Sequence, residues 1–349
     1  MIRNQQYLQQ LQKAASLLPD WEMLKGRSML ISGATGMIGS FLIDLIMYQN
    51  KNVGLDCTVY ALGRSPEKAK GRFAAYWEDP HFLFVSCDIN REIPVEAGQV
   101  DYILHAASNT HPVAYATDPI GTVTTNIIGT YNLLDFAVSH NTRRFIFTST
   151  VEVYGENRGD TEYFAEDYCG YIDCNTLRAG YPESKRAGEA LCQAYIKQKE
   201  LDIVIPRLSR VYGPTMLMSD TKALSQFIKN SLAGENIVLK SAGTQFFSYS
   251  YVADAVTGIL YCLMRGENGQ AYNIADPASD ITLRDLAQLI AEQAGTKVIF
   301  EIPDAVESAG FSKATKAVLD STKLRTLGWQ PQWDIRTGIA STIQMLKTR

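Results

Sequence analysis

Tyr181 and Lys185 stand four positions apart in RAGYPESKRAGEALCQAYIKQKE, residues 178–200. In a helix that spacing puts a phenol and an ammonium on one face, about one turn from each other, where both can address a single ligand. A neighbouring cation favours phenolate over phenol. The pair is therefore a candidate device for taking a proton from a hydroxyl near neutral pH, where an unassisted tyrosine with a pKa of ~10 is a poor base. Surface tyrosines and lysines share the same spacing without purpose, so the pair gains meaning only from the elements around it.

Those elements begin with an N-terminal extension, residues 1–26, in which Leu8, Leu11, Ala15 and Leu18 recur at helical intervals before Pro19. From Met29 a short apolar strand (MLIS) runs into GATGMIG and then into FLIDLIMY, which has helical spacing. Strand, glycine turn and helix in that order open a dinucleotide-binding fold. Gly33, Gly36 and Gly39, with Thr35, Met37 and Ile38 among them, form a GxxGxxG turn where the usual fingerprint is GxGxxG. Their expected work is a tight turn, close approach of backbone to a pyrophosphate, and packing of helix on strand.

A second strand (CTVYALG) ends at Gly63 and Arg64, where an NAD-binding chain carries an acid for the ribose hydroxyls. A guanidinium there suits a 2′-phosphate, so NAD and NADP both stay open. A third strand (FLFVSCDI) ends in Asp88 and Ile89, placed for an adenine edge, and a fourth (DYILHAA) in His105, Ala106, Ala107 and Ser108, mostly small residues against which a cofactor could lie. A long helical pattern over 119–140, a fifth strand (RRFIFTS), the Tyr181 helix and a sixth strand (LDIVIPRL) complete the alternation. The expectation is an α/β, Rossmann-type, doubly wound parallel sheet over 27–210 with a ligand crevice at the strand carboxyl ends, and a smaller α/β substrate-binding lobe over 211–349.

Composition narrows the partners. With 46% hydrophobic and 20% charged residues the 349-residue chain reads as a globular protein with a sizeable core. A net charge of −4 gives no electrostatic reason to expect nucleic acid or an anionic membrane. No apolar run reaches the ~18 residues of a membrane span, and the first twenty residues do not read as a secretory signal. Cys57, Cys87, Cys169, Cys174, Cys192 and Cys262 are scattered without a CxxC pair or zinc-ligand spacing, which predicts reduced thiols, no metal and a cytoplasmic protein.

GATGMIG, CDI, HAAS, STVEVYG, YPESK and RVYGP follow one another in the order found in one family. Together they closely resemble the extended short-chain dehydrogenase/reductases, in particular the nucleotide-sugar epimerases, dehydratases and decarboxylases. By that resemblance Tyr181 removes a sugar hydroxyl proton while carbon 4 gives a hydride to a bound nicotinamide. Lys185 would hold the nicotinamide ribose and depress the tyrosine's pKa, Thr150 would hydrogen-bond the reacting oxygen, and Asn126 would sit beneath as a structural partner. Ser108, Thr150, Glu152 and Arg210 would face a nucleotide-diphosphate sugar.

Residues after Thr150 bear on the reaction. Dehydratases of this group read Thr-Asp-Glu, the Asp protonating the departing hydroxyl, and this chain has Val151 there. Decarboxylases of uridine-diphosphate glucuronate and dehydratases of guanosine-diphosphate mannose both read Thr-Ser-Glu, the nearer pattern, while simple 4-epimerases usually lack the acid at Glu152. The family's usual Arg before Tyr-Val-x-Asp is Phe247 here, and its usual Asn on the loop after the sixth strand is Arg210, which suggests a relocated cation for the diphosphate. Glu183 is the alternative partner for Arg210. Elimination, decarboxylation and epimerisation stay open, as does a sensor that has kept the fold and lost catalysis. Ile127, Leu134, Ala187, Leu191 and Tyr195 lie beyond a single core stripe on two helices, which, with the resemblance, predicts a homodimer through a four-helix interface.

Overall fold

The structure, a computed structural model, describes residues 1–95, 99–110, 112–301 and 314–348. Apolar runs become β1 (Ser28–Ser32), β2 (Thr58–Gly63), β3 (Phe82–Ser86), β4 (Tyr102–His105), β5 (Arg144–Phe147), the two-residue β6 (Ser149–Thr150) and β7 (Ile203–Leu208). Between them run α1 (Gln5–Ser16), α2 (Met37–Val53), α3 (Pro66–Arg72), α4 (Pro112–Thr117), α5 (Pro119–Ser139) and α6 (Gly180–Lys199). β1, β4 and β5 are apolar almost throughout and almost wholly buried, as strands of a parallel sheet covered on both faces must be.

Chain ends of the helices follow from local chemistry. Asn4 accepts from the Tyr7 amide at the start of α1, and Asp118 accepts from the Gly121 amide where Pro119 opens α5. Gly54 closes α2 in a left-handed cap and Glu200 does the same for α6.

After β7 come β8 (Arg210–Tyr212), α7 (Ala223–Ala233), β9 (Ile237–Leu239), β10 (Phe246–Phe247), β11 (Tyr249–Tyr251), α8 (Val252–Arg265), β12 (Ala271–Ile274) and α9 (Leu283–Ala294). The sheet order is β3-β2-β1-β4-β5-β7-β12, every pair parallel, with β6 also on β7. Strand order reverses between β1 and β4, which is where such a sheet opens its ligand crevice. β12 extends the sheet beyond β7, and α8, buried over most of its length, packs on α2 and β7. A cut after residue 210 would therefore separate these two elements from the sheet they complete. The lobe itself holds β8 paired with β11, β9 paired with Val298–Phe300, and β10 flanked by Ile281–Thr282 and Lys316–Ala317.

The N-terminal extension is part of the body. Tyr7, Leu11 and Ala14 of α1 are fully buried, and the Tyr7 hydroxyl donates to Asp44 of α2 at 2.5 Å. Arg72 of α3 pairs with the same carboxylate. From β11 and α8, the Tyr251 hydroxyl donates to Gln10 at 2.5 Å and that of Tyr261 to the Leu17 carbonyl at 3.0 Å.

Candidate active site

The crevice at the strand reversal is shaped by glycine. Gly33 has φ +73°, and a Cβ there would meet the Ala106 carbonyl oxygen at 2.7 Å; one at Gly39 would meet the Gly33 carbonyl oxygen at 2.5 Å. Two chain segments thus approach as no other residue permits, leaving Thr35, Gly36, Met37 and Ile38 partly exposed over the α2 N-terminus, a ready site for a pyrophosphate. Ala106 and Ala107 are pinned to β1 by bonds from their amides to the Ser32 carbonyl (3.3 Å) and hydroxyl (3.2 Å). Asp88 is exposed just past β3, and Arg64 is exposed just past β2. Ile89 is buried beneath Gly129 of α5. These residues fit a nicotinamide dinucleotide, whose chemistry is to accept and return a hydride.

His105 turns its ring into the protein. Its ring is fully buried, bonded through Nδ1 to the Ser32 hydroxyl at 2.8 Å and through Nε2 to that of Thr130 at 3.0 Å. Burial holds its pKa well below the ordinary value, so it is a neutral staple between β1 and α5 and offers the crevice only backbone.

β6 and α6 bring the reacting groups together. Tyr181 is buried, and Thr150 lies against its phenol. The Ser108 hydroxyl donates to Asn126 Oδ1 at 2.8 Å, Asn126 Nδ2 donates to the Ser184 hydroxyl at 2.9 Å, and Ser184 donates to the Tyr181 carbonyl at 2.9 Å. Asn126 is therefore a buried brace between the β4 loop and α6, as the resemblance implied. Lys185 sits one turn on, its Nζ donating to the Thr148 carbonyl at 2.9 Å and lying over the Phe147 ring.

The pKa of Tyr181 moves the opposite way to the sequence expectation. Burial pushes the phenol up to about 12, against the pull of Thr150, and Lys185 is not among the groups acting on it. Burial also pushes Lys185 down to about 8, with Cys192 and Glu189 opposing. Desolvation outweighs the pairwise attraction that the i,i+4 spacing suggested, because the ammonium is bonded to a carbonyl instead of the phenol.

Beside Tyr181 stand residues the helix pattern did not reveal. Glu152 accepts from Arg178 at 2.7 Å; Arg178 precedes α6 in a 3-10 turn, Leu177–Ala179, and so falls outside the Tyr181 register. Arg178 lies over the Tyr115 ring at 4.9 Å, and Tyr115, from α4, stacks on Tyr181 with ring centroids 5.1 Å apart. Only the proximity of Arg178 to Tyr181 in RAGY hinted at this. Arg210 of β8 lies flat on Phe247 of β10, its Cζ 3.5 Å from the ring centroid. Glu183, the alternative partner, pairs with Arg186 at 3.3 Å. Val151 is buried.

A family model described as the NAD dependent epimerase/dehydratase family matches residues 29–275. UDP-glucuronic acid decarboxylase 5 of Arabidopsis thaliana is 32% identical over 310 residues, covering 89% of this chain and 86% of its own length. UDP-glucuronic acid decarboxylase 1 of Danio rerio is 31% identical over 320 residues, covering 91% of this chain and 72% of its own. Among solved structures, DesIV, a dTDP-glucose 4,6-dehydratase from Streptomyces venezuelae with NAD and TYD bound, matches with a TM-score of 0.77 at 25% identity, over 91% of this chain and 96% of that one. UDP-glucuronic acid 4-epimerase from Bacillus cereus, 24% identical with a TM-score of 0.77 over 92% of this chain and 99% of that one, shares the fold. Glycine crevice, Thr-Tyr-Lys cluster and these likenesses agree: the chain belongs to the NAD-dependent epimerase/dehydratase family and is a nicotinamide-dependent enzyme of its nucleotide-sugar group.

Proposed function

We propose that this enzyme oxidises carbon 4 of a UDP-linked uronic acid and then releases carbon dioxide. The observation that carries the choice is the buried Val151 beside the Arg178-paired Glu152: elimination of water needs an acid for the departing hydroxyl, and loss of carbon dioxide does not. The glucuronate decarboxylases among the relatives support the same reading.

Tyr181 takes the carbon 4 hydroxyl proton as the hydride leaves carbon 4, and Thr150 holds the oxygen that becomes a carbonyl. A carboxylate two carbons from that carbonyl breaks its carbon–carbon bond with the electrons passing into the ketone. Glu152 handles the proton at carbon 5, and return of proton and hydride to carbon 4 closes the cycle. Lys185 would hold the nicotinamide ribose. Stacked Tyr115 shields the phenol from water.

The test is mass spectrometry of UDP-glucuronate incubated with the holoenzyme, with loss of carbon dioxide expected and an unchanged or water-depleted product counting against the reading. Tyr181→Phe should lose turnover and keep bound cofactor. Glu152→Gln should still reduce the cofactor when substrate is added, yet form little product; wild-type yield in that variant would leave Glu152 a structural role.

Free thiols at all six cysteines fit a reducing, cytoplasmic setting, and among the described residues no helix is long and apolar enough to cross a membrane. We also assign a homodimer to this chain, on the exposed apolar stripe of α5 discussed below.

A further inference from the structure

Among the described residues, two guanidinium nitrogens in this cleft are shut off from solvent and have no hydrogen-bond partner: Nη1 of Arg178 and Nη1 of Arg210. The rest of each group is engaged, Arg178 with Glu152 and the Tyr115 ring, Arg210 with the face of Phe247. Buried donors left unpaired are costly, and an ionised acceptor is the partner that satisfies a guanidinium best. The cluster is one neighbourhood: Glu152, Arg178 and Tyr115 act on the charge of Arg210, and Glu152 and Arg178 act on Tyr181. Two guanidinium charges against the single carboxylate of Glu152 leave one positive charge, while nearby Asp220 is paired with Lys222 at 3.6 Å.

Geometry of the sugar then selects the anion. With the carbon 4 hydroxyl on Tyr181 and Thr150, the exocyclic group on carbon 5 is the next substituent along the ring. Carbon 1 and its diphosphate lie across it. A cation cluster with one net charge, grouped around the residues that surround Tyr181, matches a monocarboxylate on carbon 5 better than a dianionic diphosphate.

We infer that Arg178 and Arg210 together form the receptor for the sugar's carboxylate, with Arg210 supplied from β8 and held in place by Phe247. This rests on the reading of the protein as a nucleotide-sugar enzyme, and it replaces the diphosphate as the partner of Arg210. Phe247 sets the plane of the guanidinium without competing for its donors, which a polar residue would do.

The experiment is calorimetric titration of the cofactor-loaded protein with UDP-glucuronate, UDP-glucose and UDP, done throughout in a Tyr181→Phe background that binds without turnover, in which wild type denotes intact Arg178 and Arg210. Wild type should bind UDP-glucuronate more tightly than UDP-glucose. Arg210→Gln should weaken UDP-glucuronate binding by about tenfold or more, ~1.4 kcal/mol, erase that preference, and leave UDP and UDP-glucose within about twofold, since only the carboxylate contact is lost. Arg210→Lys should keep part of the preference, because an ammonium lacks the planar fork, and it provides the same comparison if the Gln variant does not melt cooperatively. An equal loss for all three ligands overturns the inference and returns Arg210 to the diphosphate. Wild type with no preference between the two sugars overturns it while leaving the nucleotide-sugar reading intact; wild type that binds none of the three overturns both.

Discussion

Lys185 carries a charge in a place that disfavours it. Its pKa falls from 10.5 in the unfolded chain to about 8 in the folded one, so between those values the unfolded state binds more protons and folding stability rises with pH. Below about pH 8 the whole penalty of the buried ammonium is present. Lys185→Met should therefore lose turnover, be at least as stable as wild type at pH 7 in urea denaturation, and show that advantage shrinking towards pH 10. A variant less stable at pH 7 by an amount that does not change with pH would mean that the ammonium is not desolvated. Glu189 lies one further turn along α6, accepts from Ser149 at 2.5 Å and pairs with Arg207 at 2.6 Å, and its charge holds the Lys185 pKa up against burial. Tyr and Lys at i and i+4 were legible as a pair in the sequence. The sign of their pKa shifts was not, because it depends on how much of the fold covers them and on a carbonyl of β5's neighbouring loop, Thr148, that no local pattern announces.

Elements with strong periodicity were read well. The glycine turn, the helices over 119–139 and 180–199, and the run of parallel strands all stand where apolar spacing put them. What the sequence hid came from distant partners: the return of β12 to the far edge of the sheet, the inward turn of His105, and the arrival of Tyr115 and Arg178 at Tyr181 from segments outside the α6 register. α1 illustrates the limit best. Its amphipathic pattern was plain, but its partners, Asp44 of α2 on one side and Tyr251 of β11 and Tyr261 of α8 on the other, lie far along the chain. Removal of residues 1–18 would uncover Asp44 and Arg72 and expose the apolar surface under Tyr7 and Leu11. Each large buried side chain contributes roughly 1.5–3 kcal/mol, so the truncated protein should melt many degrees lower or fail to stay in solution. A melting temperature within about 2 °C of wild type, equivalent to roughly 1.5 kcal/mol or less for a chain of this size, would show that α1 is an appendage.

At the scale of the whole molecule, α5 presents Ile120, Ile127, Tyr131 and Val138 to solvent along one line of the helix, with Ile128 beside them. Leu134 and Tyr195, two of the residues first assigned to an interface, belong to the protein's own core; Tyr195 donates to Asp135 of α5. Ile127, also among those first assigned, does lie on the exposed stripe. A second copy meeting α5 and the adjoining α6 would bury it in a four-helix arrangement. Ile128→Asp with Tyr131→Glu should halve the mass measured by light scattering at micromolar concentration and leave the melting curve of each subunit cooperative. A wild-type protein that is monomeric under those conditions would count against the dimer.

The stack of Arg210 on Phe247 also bears on how such a chain changes over time. The family resemblance implies an arginine at the position of Phe247 and an asparagine at that of Arg210, so in this chain the cation stands on β8 and an aromatic ring stands on β10. Either substitution made alone would pass through a form with two guanidinium groups pressed together or with none. Arg210→Asn and Phe247→Arg should each weaken binding of the sugar nucleotide, and the double variant should recover part of the loss, a coupling opposite in sign to simple addition, read from a double-mutant cycle of dissociation constants. Additive losses would mean that the two positions are independent, and that their exchange is a coincidence of drift.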